Sequence, residues 1–229
     1  MGMGDMGMGD MGTMVALHTA DGHTLGAYRA GPEDAARGLV VAQEIFGVNG
    51  YIRRVCDRFA GRGYAVIAPA LFDRVQREVE LGYTPQDVQA GIALRAQVPE
   101  AGTVSDIAAA AAALPEACGI LGFCWGGTVA WWGAGRTDFF RAAVGWYGGG
   151  IYEARGETPH CPVQLHFGEE DSGIPMDEVR AIQAAQLGVE IHCYPGAGHG
   201  FGCDQRPSFD PEAARLAEER TVAFLEDHL

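Results

Sequence analysis

The sequence contains no lysine; all 16 of its basic side chains are arginine. That absence excludes Schiff-base chemistry, serine–lysine dyads and a Walker-type phosphate loop, each of which needs a primary amine. Positive charge of any kind is scarce. Thirty acids outnumber the arginines and leave a formal net charge of −14. A nucleic-acid partner is excluded, because phosphate contacts need a basic surface. No window approaches the roughly 18 uninterrupted apolar residues of a membrane span, so no membrane association is expected. The six cysteines (Cys56, Cys118, Cys124, Cys161, Cys193 and Cys203) include no CxxC pair. No pair of histidines has helix-face metal spacing, so no metal is expected, and no organic cofactor is implied. Without a signal-peptide pattern, cysteines in apolar surroundings point to a reducing cytoplasm rather than to a secreted disulfide scaffold.

What the chain does hold is 229 residues with 48% hydrophobic content, enough for one sizeable core. Residues 1–14 are low-complexity repeats of Met, Gly and Asp, read as a disordered tail outside the fold. Residues 15–229 form one expected domain. Alternation over 15–30 about Asp21-Gly22 predicts a β-hairpin. Apolar runs predict strands over 38–43, 64–68, 118–123, 142–147, 163–167 and 190–194. Helical patterns fall at 51–62, from Pro85 onward, and at 104–113, 127–135, 176–187 and 211–228. Strands alternating with helices imply a mostly parallel sheet covered on both faces.

The most informative segment is Gly119-Ile120-Leu121-Gly122-Phe123-Cys124-Trp125-Gly126-Gly127. It reads as a buried strand turning sharply into a helix with a cysteine at the tip. Gly122-x-Cys124-x-Gly126 is a nucleophile-elbow pattern with sulfur in place of the usual serine oxygen. Side chains at the two glycines would crowd so tight a turn. The thiol would sit at a helix N-terminus, where the dipole and free N–H groups favour thiolate.

A cysteine nucleophile needs a base, and the base an orienting acid. Parallel sheets present reactive groups at the carboxyl ends of their strands. Two such ends downstream carry suitable residues: Gly168-Glu169-Glu170-Asp171, where three acids compete, and the Gly-rich loop around His199. The loop Glu44-Ile45-Phe46-Gly47 follows an earlier apolar run, which suits a partly buried acid at Glu44. His160, His166 and His192 lack such context, and Tyr83 ranks no higher than a surface tyrosine.

Taken in this order, Gln43-Glu44-Ile45-Phe46-Gly47, Gly122-Phe123-Cys124-Trp125-Gly126-Gly127, Gly168-x-x-Asp171 and Gly198-His199-Gly200-Phe201 resemble the dienelactone hydrolase family. The resemblance runs from about Gly22 to Leu229 and implies an α/β-hydrolase fold. It implies a triad of Cys124, His199 and Asp171, with Glu44 contacting the resting thiol and switching it to thiolate. It implies an oxyanion hole built from the Ile45 and Trp125 N–H groups. It also implies two arginines for a substrate carboxylate. Pro69-Ala70-Leu71-Phe72-Asp73-Arg74 matches the run that carries the first. The second is expected four residues after the histidine, where this chain has Cys203; Arg206, three residues on, is the candidate to replace it. The expected reaction is hydrolysis of a small ester or lactone, of the carboxymethylenebutenolidase type, by a monomer through an acyl-cysteine. The alternatives are a general small-ester carboxylesterase and a non-catalytic thiol redox or binding protein.

Overall fold

The computed structural model describes residues 11–229. Most of the low-complexity segment 1–14 lies outside the described residues, but its expected boundary needs correcting. Thr13 and Met14 already belong to the first strand, β1 (Thr13–His18), where they pair with Arg29 and Tyr28. The predicted hairpin is completed by β2 (Thr24–Ala30), antiparallel to β1.

The remaining strands are β3 (Arg37–Ala42), β4 (Tyr64–Pro69), β5 (Cys118–Phe123), β6 (Ala142–Trp146), β7 (Val163–Gly168) and β8 (Glu190–Tyr194). All eight form one sheet in the order β1-β2-β4-β3-β5-β6-β7-β8. Pairing is antiparallel for β1–β2 and β2–β4 and parallel from β4 to β8. Every residue of β4, β5, β6 and β7 is buried, as continuous apolar runs in a doubly covered parallel sheet require.

The helices are α1 (Gly50–Ala60), α2 (Pro85–Arg95), α3 (Glu100–Ala112), α4 (Trp125–Arg136), α5 (Met176–Ala185) and α6 (Pro211–His228). Local chemistry sets their starts. The Asn49 side chain accepts from the Ile52 N–H and caps α1, and Asp210 caps α6 ahead of Pro211. Helix α1 lies on β2, β3 and β4, and α6 on β6 and β7; Arg58 of α1 and Arg62 in the turn after it pair with Glu218 of α6. Helix α3 lies on β3 and β4 from the opposite face and packs against α4, which covers β5 and β6. Helix α3 starts four residues earlier than its pattern predicts, directly after Pro99. Helix α2 differs from the rest. It opens with a Thr84–Asp87 capping box and Pro85, yet buries only Gly91.

This is the α/β-hydrolase fold. Strand β5 is central, between β3 and β6, and its carboxyl end meets the loops that follow β3, β7 and β8.

Candidate active site

Cys124 stands between β5 and α4 with φ 54° and ψ −118°. A non-glycine residue at positive φ is strained and persists only where its surroundings enforce it. The enforcement is visible on either side. A Cβ on Gly122 would lie 1.8 Å from the Gly126 carbonyl oxygen, and one on Gly126 would lie 2.2 Å from that of Ala42. The Cys124 N–H donates to the Trp146 carbonyl at 2.9 Å, and its own carbonyl accepts from Gly127 at 2.9 Å. Strand, turn and helix therefore interlock by backbone, and the thiol is held out at the tip.

His199 and Asp171 arrive on two loops joined to each other. The Glu169 N–H donates to the Tyr194 carbonyl, and the Glu170 N–H to that of Ala197. His199 Nε2 lies 3.1 Å from Cys124 Sγ, and His199 Nδ1 lies 2.7 Å from Asp171 Oδ2. Asp171 is fully buried and its other oxygen accepts from the Gly173 N–H. Ser208 Oγ donates to the His199 carbonyl, and the Tyr147 ring meets the imidazole edge-on. Burial disfavours a charge on His199, but the bonds to Asp171 and Cys124 outweigh it and raise its pKa to about 10. Of the three competing acids, only Asp171 meets the imidazole; Glu169 and Glu170 are exposed.

Ile45, on the loop after β3, and Trp125, the first residue of α4, line the same cavity as Cys124 and His199. Neither N–H has a hydrogen-bond partner among the described residues. Free donors beside a nucleophile can receive the negative oxygen of a tetrahedral intermediate.

Glu44 departs from expectation. Its carboxylate is fully buried, and it accepts from Arg206 Nη1 at 3.2 Å and from the Tyr83 hydroxyl at 3.2 Å. The thiol is engaged by His199 instead. The physical reason is charge: a carboxylate stripped of water needs a cation, and Arg206 is that cation. Burial raises the pKa of Glu44, and Arg206, His199 and Tyr83 oppose the rise. Arg206 lies over the rings of Phe46 and Tyr83 and lines the cavity.

The two candidate arginines have separate fates. Arg206 joins the site, and Arg74 does not. Arg74 forks onto Asp106 at 2.9 and 2.8 Å and reaches Asp21 at 2.9 Å. Asp106 is a buried acid of α3 that would otherwise lack a counter-charge, and Gly102 clears the space the Arg74 chain crosses. The expectation that Arg74 holds substrate is therefore corrected.

Sequence reasoning also passed over two contributors. Tyr83 bonds Glu44 and Asn49, although its polar surroundings gave no sign of it. Tyr147, at φ 40°, directly follows β6; its place at a strand's carboxyl end was the available signal. His166 is buried on Tyr194 and Gln164 and is structural, as expected. Among the described residues no cluster of His, Cys, Asp and Glu could hold a metal ion.

Comparison with known proteins agrees with the sequence motifs. The dienelactone hydrolase family model matches residues 25–229. A Synechocystis protein provisionally named carboxymethylenebutenolidase is 37% identical over 212 residues, covering 83% of this chain and 86% of its own. An Escherichia coli K12 protein of the same provisional name is 32% identical over 232 residues, covering 91% and 84%. A Klebsiella pneumoniae crystal structure, provisionally described as a dienelactone hydrolase, superposes with a TM-score of 0.80 at 32% identity over 93% of this chain and 99% of its own. On its motifs, its fold and these relatives, the chain belongs to the dienelactone hydrolase family.

Proposed function

We propose that this ester hydrolase cleaves a small ester or lactone of the dienelactone type through an acyl-enzyme on Cys124. The observation that carries the reading is the line Cys124 Sγ–His199 Nε2–Asp171, at 3.1 and 2.7 Å, beside two unpaired N–H groups. The thiolate attacks the carbonyl carbon and forms a C–S bond, and the C=O electron pair moves onto oxygen. That oxygen accepts from the Ile45 and Trp125 N–H groups; losing one such donor costs about 3 kcal/mol. Collapse expels the alkoxide, which takes the proton from His199 Nε2. The neutral imidazole then takes a proton from water, whose oxygen attacks the thioester. The C–S bond breaks and the thiolate returns. Asp171 stabilises the imidazolium through both halves.

The reading needs no second subunit, since every group named belongs to one chain, and it needs no metal. Thiolate chemistry suits a reducing compartment, and all six cysteines are free. Amides resist this route, because their nitrogen must be protonated before it leaves. The general carboxylesterase reading separates from the lactone reading by substrate: a dienelactone assayed beside p-nitrophenyl acetate. Arg206 lines the cavity while it is paired with Glu44, so the lactone reading rests on the family likeness and not on this cation.

The deciding experiment is Cys124→Ser. It should fold normally and lose at least 100-fold in kcat/KM on p-nitrophenyl acetate. Wild type quenched during turnover should carry a thioester-linked acyl group on Cys124 by mass spectrometry. Undiminished turnover by the serine variant would overturn the assignment. A protein that turns over no ester but whose Cys124 oxidises readily would support the thiol-sensor alternative.

A further inference from the structure

The cavity over Cys124 measures about 550 Å³. That falls within the roughly 300–1,000 Å³ that encloses drug-sized ligands, so a small lactone would leave much of it empty. One wall is helix α2. Val88, Ile92 and Arg95 of α2 all line the cavity. Their spacing of four and three residues puts them in one row on the helix surface. Ile92 is 54% exposed, a large apolar side chain left in water at the lip of a cavity.

Arg95 ends that row. It is exposed, and its guanidinium makes no hydrogen bond or ion pair among the described residues. The other two arginines considered for substrate are both engaged, Arg206 on Glu44 and Arg74 on Asp106 and Asp21. Glu153, from the segment after β6, is the other exposed charge on the cavity wall and likewise has no partner. Helix α2 is seated by Gly91, whose Cα lies so close to the oxyanion loop that a Cβ would stand 2.1 Å from the Ile45 carbonyl oxygen. The row therefore has a fixed position relative to the reacting centre.

We infer that α2 carries a distal subsite, Val88 and Ile92 followed by Arg95, for an ester with an apolar body ending in a carboxylate. The inference rests on the ester-hydrolase reading and extends it to a longer, amphipathic substrate. The apolar stretch of the substrate covers Val88 and Ile92, and the terminal carboxylate takes the guanidinium fork of Arg95. On a chain of net charge −14, a local cation is what allows an anionic substrate to dwell at the mouth.

The test uses the full chain and two ester series of increasing length. One comprises p-nitrophenyl monoesters of dicarboxylic acids, the other acetate esters of ω-hydroxy carboxylic acids. Each is paired with a neutral ester of equal length. The readout is the ratio of kcat/KM for the charged over the neutral member. In at least one series the wild-type ratio should rise with length to about tenfold and fall with added salt. Arg95→Ala should bring that ratio to about one, Arg95→Lys should keep most of it, and Glu153→Gln should raise it. Arg95→Glu should reverse the preference toward esters ending in a quaternary ammonium. Turnover of neutral esters with a ratio near one at every length in both series would overturn the subsite alone. Turnover of no ester at all would overturn the hydrolase reading and the subsite together.

Discussion

The imidazole of His199 carries a bond on each nitrogen, and the two bonds set when it keeps its proton. On the proposed route that proton is the one delivered to the leaving alkoxide, so activity should fall at high pH with a midpoint near 10, where the raised pKa lies. Asp171→Asn removes the negative charge that raises it. The alkaline limb of the kcat/KM profile should then move to lower pH, and the rate should drop by roughly 10²–10⁴-fold. A pH–rate profile of both proteins checks the direction. At this scale the grouping of Cys124, His199 and Asp171 was legible in advance, because each lies within three residues of a glycine past a strand's carboxyl end, where topology brings the three together. The arginines were not legible. Arg74 follows a run that matches the family pattern, but its destination depends on Asp106, 32 positions away, and on the gap left by Gly102. No local signal encodes such a pairing. Glu44 was read correctly as buried and assigned the wrong neighbour, because its counter-charge Arg206 lies 162 positions along the chain.

Among the elements, the elbow is the most tightly specified. Gly126→Ala would place a methyl group 2.2 Å from the Ala42 oxygen and 2.6 Å from that of Gln43. Both are backbone atoms of the β3 region and cannot rotate away. Overpacking of this kind costs about 1–3 kcal/mol where side chains can yield, and more where backbone must. Gly126→Ala should therefore lose at least about 3 kcal/mol of stability in a denaturant titration. The elbow was readable from its glycines, just as the strands were from their apolar runs. Helix α2 was readable only as a start, at Pro85. Its packing was not, because its sequence has no apolar stripe and its one buried residue is a glycine. Amphipathic pattern reveals a helix that lies on a core; α2 instead lies on a loop.

For the molecule as a whole, the shifted groups all push stability one way in alkali. His199 titrates near 6.5 in the unfolded chain and near 10 in the fold. The stability it contributes is complete below pH 6.5 and drains away as pH rises toward 10. Burial raises the thiols of Cys203 and Cys161 from 9.0 to about 11, and that of Cys118 to about 12. The unfolded chain releases these protons above pH 9 while the native protein holds them. Both sets lower stability as pH rises, in successive windows. Urea titrations at pH 6.5, 8 and 10 should give a steadily falling unfolding free energy. Asp171→Asn should flatten the lower part of that slope and leave the upper part, which belongs to the thiols.

The eight-stranded order puts β5 between β3 and β6, with hydrogen bonds on both edges and every residue buried. Helix α2, seated by Gly91, is exposed along most of its length. Amide exchange in a folded protein proceeds through openings whose cost ranges from nearly nothing at loosely packed segments to the full unfolding free energy in a central strand. The two sides of the cavity thus fall at opposite ends of that range. The β5 amides next to Cys124 should exchange only when the molecule unfolds, while those of α2 should exchange through openings that leave the sheet intact, and hydrogen-exchange mass spectrometry checks the difference. The α2 wall can then loosen and reseat many times while Cys124 stays in register.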